Sequence, residues 1–155
     1  MKNHLLLIPL LASLATPAYA TANLACFADD KTARIDVDGI MGMDDWAPVE
    51  NLKASVFVPS EKIAEAYWQV DLGKDLIQRW IIGEAINLHF HHDALAGKAR
   101  VTVDLQIETK LDADSENQDY IGTYRLFYGL EPEAKTAEVK EASFKSDGKI
   151  VCQLQ

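Results

Sequence analysis

Val101-Thr102-Val103-Asp104-Leu105-Gln106-Ile107 and, beyond one polar loop, Tyr120-Ile121-Gly122-Thr123-Tyr124-Arg125-Leu126-Phe127-Tyr128 decide the fold of this chain. Apolar and polar side chains alternate in the first run, and in the second from Thr123 to Phe127's neighbours, the period of a strand with one buried face. Setting Ile107 opposite Tyr124 places Leu105 opposite Leu126 and Val103 opposite Tyr128, all inward. The same register puts Gln106 opposite Arg125 and Glu108 opposite Thr123 outside. A slip of one residue would turn every inward side chain outward, so the matched faces predict an antiparallel hairpin. Its connection, 111–119, is polar and acidic, as an exposed loop should be.

The same period extends along the chain. Ile86, Leu88 and Phe90 alternate with Asn87, His89 and His91, and a turn is predicted from His92 to Gly97. Leu52, Ala54, Val56 and Val58 share a face, with Phe57 an exception on the polar side, and Trp68, Val70 and Leu72 share another. Residues 74–85 fit either a short amphipathic helix or a strand entering a type II′ hairpin with Gly83 and Glu84 at its centre, and the hairpin is preferred. Ser60 to Ala66 has room for a short helix capped by Ser60. Ser146-Asp147-Gly148 reads as a turn between runs near 136–144 and 149–154. The expected fold is all-β and mainly antiparallel, a small β-barrel or sandwich of about seven to nine strands with at most one or two short helices.

Cys26 and Cys152 are the two cysteines, one near each end of the region after residue 20. In an oxidising compartment such a pair forms one disulfide. Both fall on apolar faces, Cys26 with Leu24 and Cys152 with Ile150 and Leu154. Their bond would bring the terminal strands together with Cα atoms ~4.4–6.8 Å apart.

The first twenty residues have the parts of a cleavable export signal: Lys2, the apolar run from Leu5 to Leu14, and small residues at Ala18 and Ala20 around Tyr19. The run is short of the ~20 apolar residues that span a bilayer. Leu24-Ala25-Cys26 offers a lipid-anchor alternative, but Asn23 stands where that motif wants leucine. The expectation is therefore a signal over 1–20, a single β domain over 21–155, and a periplasmic or secreted location.

The chain carries 15 Lys and Arg against 24 Asp and Glu, a net charge of −9. An acidic surface repels phosphate backbones and anionic lipid heads and suits a basic partner, so nucleic acid and membrane insertion are not expected. No Gly-x-Ser-x-Gly elbow, His-Glu-x-x-His pair or phosphate-cradling glycine loop occurs.

Three patches carry candidate chemistry. In His89-Phe90-His91-His92-Asp93, His89 and His91 share a strand face about 6–7 Å apart, spacing at which two imidazoles can converge on zinc or a similar divalent ion. Glu84, Asp93 or Asp104 would add a carboxylate. Matching apolar faces sets His91 opposite Arg100 and His89 opposite Thr102, and that guanidinium would oppose a metal. Asp112-Ala113-Asp114-Ser115-Glu116-Asn117 opens like a calcium loop but has Asn117 in place of the turn glycine and Thr123 in place of the closing glutamate. Trp46, Phe57, Trp80 and Phe127 would anchor a protein or glycan partner if exposed, and would be core if both faces of the sheet are covered. The sequence thus supports a non-enzymatic binding module, with a basic protein of the cell envelope as the expected partner. A metal-binding protein using His89, His91, His92 and Asp93 is one alternative, and a carboxylate-dependent hydrolase is another.

Overall fold

The structure, a computed structural model, describes residues 21–42, 49–133 and 139–155. The export-signal segment 1–20 and Trp46 lie outside the described residues.

Strand β1 spans Thr21–Asp29, β2 Arg34–Gly42, β3 Val49–Phe57, β4 Gln69–Asp71, β5 Leu76–Ile82, β6 Ala85–Ala96, β7 Ala99–Leu111, β8 Asp119–Pro132 and β9 Ala142–Leu154. They form one antiparallel sheet in the order β4-β3-β2-β1-β9-β8-β7-β6-β5. Two meanders, β1 to β4 and β5 to β9, are thus joined by the pairing of the first strand with the last. The alternation read from the sequence becomes the core: Ile35, Val56, Leu88, Phe90, Val103, Leu105, Ile107, Tyr124 and Tyr128 are all buried on the inner face.

Consecutive strands β4 and β5 occupy the two opposite edges of this sheet. Only Leu72–Asp75 connects them, and five Cα steps of 3.8 Å reach ~19 Å at most. The sheet must therefore curl until its edges lie within that distance, which makes it a half-barrel. The link is held on both sides: Leu72 N–H donates to Ala54 O at 2.7 Å on β3, and Asp75 O accepts from His91 N–H at 2.9 Å on β6.

Cys26 and Cys152 face each other across β1 and β9, with sulfurs 2.06 Å and Cα atoms 3.9 Å apart. The separation is shorter than the expected range for a topological reason. Asn23 and Gln155 exchange both backbone hydrogen bonds, so three residues further along β1 Cys26 falls in a non-hydrogen-bonded pair, the class in which antiparallel strands approach most closely.

The β7–β8 register is the one read from matched faces, with Ile107 opposite Tyr124, Leu105 opposite Leu126 and Val103 opposite Tyr128. The type II′ reading at Gly83-Glu84 also holds: Ile82 pairs with Ala85 and Gly83 has φ 58°. Residues 76–82 are strand rather than helix.

Other expectations are corrected. Ser146-Asp147-Gly148 makes no turn. It lies inside β9, where Gly148 is opposite Tyr124 and Asp147 opposite Arg125. The glycine is needed for space, because a Cβ there would sit 2.6 Å from both Tyr124 Cε1 and Asp30 Oδ2. The turn expected over His92 to Gly97 contracts to Gly97 and Lys98 between paired Ala96 and Ala99, with Gly97 supplying φ 62°. Helical geometry between Ser60 and Ala66 is limited to a 3-10 turn at Glu65–Tyr67. Ser60 Oγ accepts only Lys62 N–H, at 3.3 Å, so it closes a local turn. Tyr128 Oη donates to Tyr67 O at 2.7 Å, pinning the 3-10 turn over the core, and burial pushes the Tyr128 phenol up to about 12.

Candidate functional site

Lengthening β6 to Ala96 changes the chemistry of its histidine face. His89 lies opposite Gln106 and His91 opposite Asp104, while Arg100 lies opposite Leu95 and Thr102 opposite Asp93. The register is four residues away from the one expected, so the guanidinium is absent from the histidine pair and a carboxylate takes its place. Asp104 Oδ2 is 3.0 Å from His89 Nε2 and 3.3 Å from His91 Nδ1, and Gln106 Nε2 donates to Oδ1 at 3.4 Å.

Period two separates His92 from the pair, while Asp93 keeps their outer face. His92 points to the opposite face, where Nδ1 is 2.7 Å from Asp75 Oδ2. Asp93 receives two bonds from Arg100, at 2.5 and 2.9 Å, and the hydrogen bond from that guanidinium holds its carboxyl below the usual range. Among the described residues no group of three or more His, Cys, Asp or Glu side chains is arranged to hold a metal ion. Each imidazole is instead bound to a carboxylate.

The acidic loop is likewise satisfied locally. Asp112 Oδ1 accepts Asp114 N–H at 3.1 Å, and Ser115 Oγ donates to Asp119 Oδ2 at 2.8 Å. Among the described residues, Phe57, Trp80 and Phe127 make no ring contact with one another. Phe57, 36 % exposed on β3, meets Trp68 edge-to-face with centroids 5.9 Å apart. Trp80 is half-buried on edge strand β5, and Phe127 is half-buried on β8, its ring against Gly129. Phe127 does share the outer face with the histidines, since His91, Asp104, Phe127 and Lys145 pair successively across β6 to β9.

Curling of the sheet builds a groove of about 620 Å³ between the outer face of β2–β4 and the β4–β5 link. Asp36 and Asp38 come from β2, Lys53 and Ser55 from β3, Asp71 from β4, and Lys74 and Asp75 from the link, with His92 beyond. Ladder pairing sets Asp36 opposite Ser55 and Ser55 opposite Asp71, so these carboxylates share one row. Asp36 is engaged by Arg34 at 3.0 Å, and Asp71 Oδ1 accepts Gly73 N–H at 2.8 Å. Four aspartates against two lysines leave the groove acidic. Alternation marks Asp36 and Asp38 as neighbours on an outer face, but nothing local joins them to Asp71 and Asp75.

A second polar cluster closes the end of the sheet where β1 turns into β2. Tyr124 Oη donates to Asp30 Oδ2, and Thr32 Oγ1 bonds Asp30 Oδ1 and Ser146 Oγ, each at 2.6 Å. Desolvation pushes the Asp30 carboxyl upward, but hydrogen bonds from Thr32, Tyr124 and Ala33 outweigh it and hold the group at about 2. Tyr124 is fully buried, and this network satisfies its hydroxyl.

Among the described residues, no histidine is hydrogen-bonded to a serine, threonine or cysteine, and no helix is long and apolar enough to cross a membrane. No protein-family model, curated protein or solved structure matches this chain, so its chemistry is read from its own residues.

Proposed function

We propose that this chain is a non-enzymatic binding module, exported to an oxidising compartment, that captures a basic protein through the groove between β2–β4 and the β4–β5 link. The observation that carries this reading is the placement of Asp36, Asp38, Asp71 and Asp75, from three separate elements, on one concave surface. A groove bounded by low-dielectric protein focuses the field of its carboxylates and steers a cationic partner toward it. Two further features support the reading: the export-type segment at 1–20 and the terminal cysteine pair suited to an oxidising environment.

The test is fluorescence polarisation with a labelled ten-residue oligolysine probe and a matched oligoglutamate control. Binding should weaken by about tenfold or more between low and physiological salt. Replacing Asp38, Asp71 and Asp75 together with asparagine should weaken it by a similar factor. Neutralising Asp112, Asp114 and Glu116 at the distant loop should have little effect. Equal losses from the two triple variants would show that only overall charge matters, and would overturn the groove as the site.

A further inference from the structure

We infer that the convex face of β2-β1-β9-β8-β7 is a self-complementary surface that pairs with a second copy of this chain. Three large apolar side chains stand exposed side by side on adjacent strands: Phe27 on β1 at 48 %, Val151 on β9 at 40 % and Ile121 on β8 at 46 %. Ladder pairing makes them one row, Phe27 opposite Val151 and Val151 opposite Ile121. That row continues to Asp36 on β2 and Lys110 on β7. Contiguous apolar exposure rimmed by charge marks an interaction surface.

The charges indicate which partner fits. Two residues along the strands from Asp36 and Lys110 stand Arg34 and Glu108, again on β2 and β7. The β2 flank therefore reads positive then negative where the β7 flank reads negative then positive. Consider a twofold axis between two such faces, parallel to β9 and passing by Val151. It sets Val151 against its own copy and Phe27 against Ile121. Asp36 then faces Lys110 and Arg34 faces Glu108, each pair occurring twice. An isologous interface needs this kind of self-match. An axis perpendicular to the strands would set Asp36 against Asp36.

The face falls away on either side of Val151 because the sheet is curled, and Arg34, Glu108 and Lys110 have the length to cross the widening gap. A flat patch of five strands at 4.8 Å spacing and about 30 Å length would bury roughly 1,200 Å² in all, and the curl lowers that below the range of tight interfaces. The expected dimer is one of micromolar affinity. Asp71 and Asp75 lie outside it.

Sedimentation equilibrium of the oxidised chain from about 1 to about 500 μM, a range spanning that affinity, tests the inference. A reversible monomer–dimer equilibrium is expected. Val151→Glu, which brings two carboxylates together at the axis, should weaken it at least tenfold. So should Asp36→Lys and Lys110→Glu taken singly, while the double variant should recover most of the affinity. Circular dichroism and melting curves confirm that each variant is folded. A folded chain that stays monomeric throughout overturns the inference, as does a dimer indifferent to all three substitutions. Asp36 and Asp38 border both surfaces, so oligolysine binding is read here through Asp71→Asn and Asp75→Asn alone, and the two proposals fail separately.

Discussion

Replacing Cys26 and Cys152 together by alanine tests how the two meanders are held. Those residues are 126 apart in sequence, and the chain-entropy cost of closing such a loop in the unfolded state corresponds to about 5 kcal/mol at 25 °C. Residual structure in the unfolded chain lowers that figure, so a loss of about 3–5 kcal/mol is expected. That is a large part of the 5–15 kcal/mol typical of a domain. Urea unfolding is the assay. With a slope near 2 kcal/mol/M, the midpoint should fall by about 2 M. The slope itself should rise, because the uncrosslinked chain exposes more surface. Hydrogen exchange adds a spatial readout. The β1–β9 ladder has four paired positions, Leu24–Leu154 to Phe27–Val151, and their amides should lose protection before those of β6 to β8. A midpoint shift below about 0.5 M, roughly 1 kcal/mol, would refute the reasoning, since it would mean that the cross-link removes little entropy from the unfolded chain.

Gly148→Ala should destabilise by about 1–3 kcal/mol through overpacking against Tyr124 and Asp30, measured by thermal or urea unfolding; a melting curve unchanged from the parent would remove the spatial reason for this glycine. Hydrogen bonds from Thr32, Tyr124 and Ala33 hold the Asp30 carboxyl at about 2 in the folded protein, below its ordinary value of 3.8. Its contribution to stability is therefore fully present above the unfolded value and lost as pH falls through about 2. Asp30→Asn should lower stability near neutrality, by about 1 kcal/mol once solvent screening is allowed for, and the gap from the parent should close in acid. A constant gap from pH 7 down to pH 2 would contradict the assignment.

What could be read from the chain was whatever repeats every two residues. Val103, Leu105 and Ile107 specify an inward face by themselves, and only one register with Tyr124, Leu126 and Tyr128 keeps all of them inward. The II′ turn at Gly83 and the pairing of the cysteine-bearing strands were legible for the same reason: backbone conformation and face are properties of a few neighbouring residues. Register between β6 and β7 was not, because alternation is preserved by any even slip. Gly97 and Lys98 decide that register in the folded protein, exchanging Arg100 for Asp104 beside His91. Ser146-Asp147-Gly148 carried turn residues for reasons set by other strands: room for the Tyr124 ring, a bond to Thr32, and a place opposite Arg125. The acidic groove belongs wholly to tertiary structure. Asp36 and Asp71 become neighbours in one row, and Asp75 joins them, because a four-residue link forces the two edges of a nine-stranded sheet to curl toward each other. Curvature of that kind is a property of the closed arrangement and has no signature in any short stretch of the chain.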